Sequence, residues 1–140
     1  MPTPLRRPLL ALALVGSLGL SACGGDDNGG SREAEEAQAT PAQAVAEIGE
    51  VRTALDRAVA SLQAGKAKRA DETVAEGYLE HFEKVEGPLE KVDGELKEHL
   101  EDAIRIDLRR RIKDGASVSE VRNMVGRIKA DLAEAERKLQ

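Results

Sequence analysis

Apolar residues recur at three- and four-residue steps from residue 45 to the end of the chain, and no stretch alternates apolar and polar with period two. Val45, Ile48, Val51, Leu55, Val59 and Leu62 form the first stripe. That pattern predicts an amphipathic helix. It opens at Thr40-Pro41-Ala42-Gln43, where a Thr N-cap precedes Pro at the first helical position and Gln sits three residues after the cap. Gly65 is the expected stop. A second stripe, starting near Lys66, runs through Val74, Tyr78, Phe82, Val85, Leu89 and Val92. Gly87-Pro88 interrupts it: Pro88 has no N–H to give the carbonyl of Lys84, which predicts a kink or an end there. Asp93-Gly94 then supplies a turn and a new N-cap. The third stripe holds Leu96, Leu100, Ile104, Leu108 and Ile112, and stops at Asp114-Gly115. Ser117-Val118-Ser119-Glu120 is a capping box. It leads into a heptad pattern at Val118, Val121, Val125, Ile128, Leu132, Ala135 and Leu139.

Four amphipathic segments joined by short turns make neighbours antiparallel, and their stripes can close one core. The expected fold is therefore all-α, an up-down-up-down four-helix bundle over residues 41–140. Long hairpins that pair with a second copy, as a homodimer, are the competing arrangement.

The region before residue 41 has a different grammar. Arg6 and Arg7 form a short basic start, Pro8 to Leu20 is an apolar run, and Leu20-Ser21-Ala22-Cys23 matches the lipobox read by bacterial lipoprotein processing. The run is too short for a spanning helix, which needs about 20 residues. Residues 1–22 are thus expected to be a lipoprotein signal peptide, with Cys23 the lipidated first residue of the mature chain. Two acyl chains on that residue meet the requirement for stable anchoring, and the location implied is the extracytoplasmic face of the cell membrane. Residues 23–40 read as the tether. Its segment Gly24 to Thr40, GGDDNGGSREAEEAQAT, has no apolar period. As a coil of that length it spans roughly 20–25 Å on average.

Composition narrows the class further. Cys23 is the only cysteine, so no disulfide can staple the fold. Tyr78 and Phe82 are the only aromatics and sit four apart on the apolar stripe, where they are expected to fill the core. Gly126, inside the fourth helix, costs about 1 kcal/mol relative to Ala. Close helix approach near Met124 and Val125 is the expected reason, with a ligand gap as the alternative. The formal net charge is −5, and no basic stripe with interleaved aromatics exists, which argues against nucleic acid. There is no thiol left after lipidation, no Ser-His-Asp spacing and no phosphate-binding glycine loop. The expectation is a non-catalytic protein.

Only two histidines exist, His81 and His99. Glu95 lies four residues before His99 and Asp102 three after, so the trio can share a helix face and hold a transition metal, or Fe(III) through the carboxylates. Glu76, Glu80, Glu83 and Glu86 make a second acidic strip. A helical chain in which 34% of all residues are charged also produces such strips as solvated faces paired with Lys and Arg.

The run Tyr78-Leu79-Glu80-His81-Phe82-Glu83-Lys84-Val85-Glu86-Gly87-Pro88-Leu89, followed by Val92-Asp93, Leu96, Leu100-Glu101, Leu108-Arg109, Ile112 and Gly115, resembles a known helical domain. It is the extracytoplasmic domain that precedes the membrane part of some bacterial high-affinity iron permeases of the Ftr type. The likeness covers roughly Thr73 to Leu139. By position, Glu83 and Glu86 match that domain's two glutamates, and Asp93 its turn acid. The permease's transport helices, with their Arg-Glu-x-x-Glu motifs, are absent from this chain. The resemblance therefore implies a stand-alone, lipid-anchored accessory protein beside an iron permease, with iron or another transition metal as its possible ion. Glu83, Glu86 and His99 are the candidate metal ligands. The alternative is a metal-free module of the cell envelope that binds another protein.

Overall fold

The structure is a computed structural model that describes residues 38–140. Cys23, the expected signal peptide and most of the expected tether lie outside the described residues. Residues 38–140 belong to one compact unit. The described residues are all-α, with no strand among them.

Three continuous helical stretches carry the chain. The first is α1 (Pro41–Gln63). The second comprises α2 (Ala67–Gly77), a π-helical turn π1 (Tyr78–Phe82), α3 (Glu83–Glu101), a second π-helical turn π2 (Asp102–Leu108) and α4 (Arg109–Lys113). The third is α5 (Val118–Leu139). The sequence signals for their ends are realised atom by atom. Thr40 Oγ1 accepts from Gln43 N while Gln43 Oε1 accepts from Thr40 N at 2.8 Å. Ser117 and Glu120 make the same reciprocal pair at the start of α5.

Both α1 and α4 end in the same way. Gly65 N donates to Leu62 O and Lys66 N to Ser61 O; Gly115 N donates to Ile112 O and Ala116 N to Arg111 O. These are Schellman motifs, and they require the left-handed backbone that Gly65 (φ +73°) and Gly115 (φ +80°) adopt.

The middle stretch does not run straight. Arg109 lies 2.8 Å from Asp71 although 38 residues separate them, whereas an unbroken helix would hold them about 57 Å apart. The reversal falls at Asp93, whose extended backbone (φ −161°, ψ 88°) is the one non-helical point within α3. Its Oδ1 accepts from Leu96 N at 2.9 Å, so the carboxylate caps the next helical segment.

This corrects the expectation for Pro88. The helix passes through Pro88 and breaks five residues later. Pro88 forfeits a single donor and buries its ring, whereas a reversal needs new acceptors for several orphaned N–H groups, which Asp93 begins to supply. Val92, placed on the apolar stripe by its spacing, is 53% exposed because the chain turns beside it. The rest of that stripe is core, with Phe82, Val85 and Leu89 fully buried; Leu100 and Leu108 of the third stripe are buried too, and Ile48, Leu55, Ile128 and Leu132 meet them from α1 and α5.

Neighbouring segments run in opposite directions. Glu47 of α1 meets His81 and Lys84, while Ala54 meets Gly77. His99 meets Asp131 of α5, and Asp93 meets Lys138. On α1, Arg52 pairs with Glu136 and Asp56 with Lys129. The Gly65 and Gly115 turns thus form one pole, near which Lys113 also reaches Asp71. Thr40, the Asp93 reversal and the end of α5 form the other, where Lys91 donates to Gln38 and Lys138 to Asp93.

The role expected of Gly126 is also corrected. It faces outward, and a Cβ built there meets nothing within 4 Å. The close approach occurs instead at Gly77, where a Cβ would lie 2.6 Å from that of Ala54.

Candidate functional site

Two π-helical turns at one level of the middle stretch shape the most distinctive surface. Bonding from i to i+5 widens a helix, and such turns concentrate at functional sites. Here π1 and π2 stand opposite each other, with the Arg105 guanidinium 5.8 Å from the centroid of the Tyr78 ring. That is cation–π range. Between them opens a cleft of about 210 Å³ lined by Ala75, Tyr78, Leu79, Glu83, Arg105 and Arg109.

Its walls are tied down by charge-assisted hydrogen bonds. The Tyr78 hydroxyl donates to Glu86 Oε1 at 2.6 Å. Burial, reinforced by that carboxylate, raises the phenol far above its ordinary range, so it stays a donor at any physiological pH. Arg105 donates to Glu101 Oε1 at 2.6 Å. Arg109 grips Asp71 with two donors, at 2.8 and 3.3 Å. Burial pushes the Asp71 carboxyl up, but the Arg109 hydrogen bond and the charges of Arg109 and Lys113 outweigh it and hold the group below the usual range. Leu79 stands at the mouth, 59% exposed. Tyr78 and Phe82 pack ring to ring at 5.7 Å between centroids, both buried, as fillers of the core.

The candidate metal ligands do not converge. Glu83 lines the cleft, Glu86 is engaged by the Tyr78 hydroxyl, and His99 turns to Asp131 at 3.2 Å rather than joining Glu95 and Asp102. Glu76, of the second strip, pairs with Arg69 at 3.1 Å. Among the described residues, no group of three or more His, Cys, Asp or Glu is placed to hold a metal ion. The other histidine, His81, contacts Glu47 at 2.7 Å, and Lys84 donates to the second oxygen of Glu47. The His81 hydrogen bond, aided by Lys84 against the pull of burial, holds the Glu47 carboxyl below its ordinary value.

Sequence reasoning misses the cleft because the stripe pattern places Tyr78 and Phe82 correctly but carries no sign of a π turn. Leu79 is the available signal: a large apolar residue off the stripe and beside it. No described helix is long and apolar enough to cross a membrane. Comparison of the chain with protein-family models, curated proteins and solved structures finds no match.

Proposed function

We propose that this chain is a lipid-anchored, extracytoplasmic accessory protein whose helical body docks a partner of the iron-uptake machinery without catalysing a reaction. The body is read as an up-down-up-down four-helix bundle, with the middle stretch counted as two helices about Asp93. The antiparallel pairings Asp71–Arg109, Glu47–His81, His99–Asp131 and Asp56–Lys129 support that reading.

One observation carries the functional part. Tyr78, Leu79, Glu83 and Arg109 belong to the pattern that resembles the permease-associated domain, and they line one cleft although some 30 residues of sequence intervene. A half-exposed leucine beside ionised groups suits a protein contact, with an apolar anchor in the centre and charges around it. Iron enters as the cargo of the partner rather than as a resident ion. The occupied states of Glu86 and His99 favour this over direct coordination by Glu83, Glu86 and His99. The anchor is Cys23, by its lipobox.

The test is radioactive iron uptake in a strain lacking the protein, complemented with wild type, Cys23→Ser or Leu79→Arg. Wild type is expected to restore uptake and both variants to fail, with Cys23→Ser leaving the membrane pellet. Equal uptake in all four strains would sink the iron link, and Cys23→Ser remaining in the pellet would sink the anchor.

A further inference from the structure

Charge is sorted along the helical body. Between Glu80 and Asp102, around the Asp93 reversal, nine acidic side chains stand against Lys84, Lys91 and Lys97. The opposite pole is the reverse. Across 66–72 and 107–122 there are eight cationic residues against five acidic ones. Seven of the nine residues in Lys66–Arg69 and Arg109–Lys113 are cationic. Some are paired locally, Arg110 with Asp107 and Lys113 with Asp71, but Arg111 and Arg122 form no ion pair among the described residues.

The length of α1, 23 residues, separates the poles by about 34 Å. That is several times the Debye length of about 8 Å at physiological ionic strength. Each pole therefore acts on its surroundings independently, and the overall negative charge does not describe the cationic one. Gly65 and Gly115 matter here because their tight turns leave this end blunt, with α2 starting and α4 ending side by side.

We propose that the pole at the Gly65 and Gly115 turns docks on anionic phospholipid headgroups through Lys66, Lys68, Arg110, Arg111, Lys113 and Arg122. Several Lys and Arg clustered on one surface contribute about 1 kcal/mol each near an anionic leaflet. The biological setting rests on the anchored reading of Cys23, which keeps a membrane within reach. The chain from Cys23 to Gln38 extends to about 50 Å, longer than α1, so anchorage at Cys23 allows this pole to face the bilayer. The acidic pole is meanwhile repelled by the same headgroups.

The experiment uses the chain from residue 23 with Cys23→Ser, which lacks the leader and cannot be acylated, so failure of this inference is separable from failure of the anchor. Co-sedimentation is measured with vesicles of phosphatidylcholine alone and with about 30% phosphatidylglycerol, a composition that gives the anionic surface the argument requires. Binding is expected only to the anionic vesicles, and reversed by high salt, roughly 0.5 M NaCl, which shortens the Debye length. Arg110→Glu with Arg111→Glu should weaken it by at least about thirtyfold, since two attractions are lost and two repulsions added. Lys84→Glu with Lys91→Glu changes net charge equally at the other pole and should not weaken it. Equal loss in both double variants, equal binding to phosphatidylcholine, or displacement by millimolar inorganic phosphate would overturn the proposal.

Discussion

The two seams of the helix Ala67–Phe82 are built on different physics. Toward α1, the closest contact depends on size: Gly77 sits against Ala54 with no room for a further carbon, and the His81–Glu47 pair lies one turn further along. Toward the segment after Asp93, contact depends on charge: Arg105 stacks over the Tyr78 ring and Arg109 pairs with Asp71. A contact set by shape is indifferent to pH and salt but intolerant of a methyl group. A seam set by ion pairs accepts changes of shape but responds to protonation. The cleft lies on the second seam, where polar bonds keep π1 and π2 in register.

The sharpest way to break the contrast is Gly77→Ala. Helix propensity alone would favour it by about 1 kcal/mol, yet overpacking against Ala54 should leave the protein about 1–3 kcal/mol less stable in urea unfolding. Adding Ala54→Gly should recover much of the loss; no recovery would mean that shape does not govern this seam. Next is Asp71→Asn, which leaves Arg109 half-buried without its counter-charge and should cost about 1–3 kcal/mol. The native Asp71 carboxyl titrates below its ordinary range. Its contribution is therefore complete above about pH 4 and disappears as pH falls through the folded value. Wild type should lose its advantage over the variant in acid, and a constant difference from neutral pH down to about pH 2 would count against the ion pair. Tyr78→Phe removes one hydrogen bond and should cost about 1 kcal/mol in the same urea measurement; an unchanged unfolding midpoint would show that the bond to Glu86 adds nothing to the cleft wall. The smallest effect is a control off both seams: Gly126→Ala, outward-facing with open space around it, should stabilise by up to about 1 kcal/mol.

Much of the architecture is legible in the sequence because it is written in local chemistry. Thr40-Pro41-Gln43, Ser117-Glu120, Gly65 and Gly115 each specify a helix end through their own backbone or side chains, and the structure realises all of them. Asp93 is legible as a cap for the same reason. Pro88 misleads: a missing donor is a local cost that burial of the ring offsets, so its consequence depends on packing. Gly126 and Gly77 show the same divide. Sequence reveals a residue without a side chain, but only the facing helix decides whether that space is needed. The candidate metal ligands rest on a helical wheel of constant phase. Neither Glu95-His99-Asp102 nor the Glu76–Glu86 strip converges in space, because Asp131, Arg69 and the Tyr78 hydroxyl engage their members first. The strip also crosses π1, where the α-helical phase is lost.

The paired π turns carry a further consequence, for chain length. Each holds more residues than an α-helix would place in the same rise. Removing one residue within Tyr78–Phe82 would let that turn close as an ordinary α-helical one, with Val85 and Leu89 kept in phase toward the core. What would go is the widened turn that sets Tyr78 and Leu79 at the cleft. The π turns are thus the mid-helix positions where a one-residue deletion should spare the fold and erase the cleft.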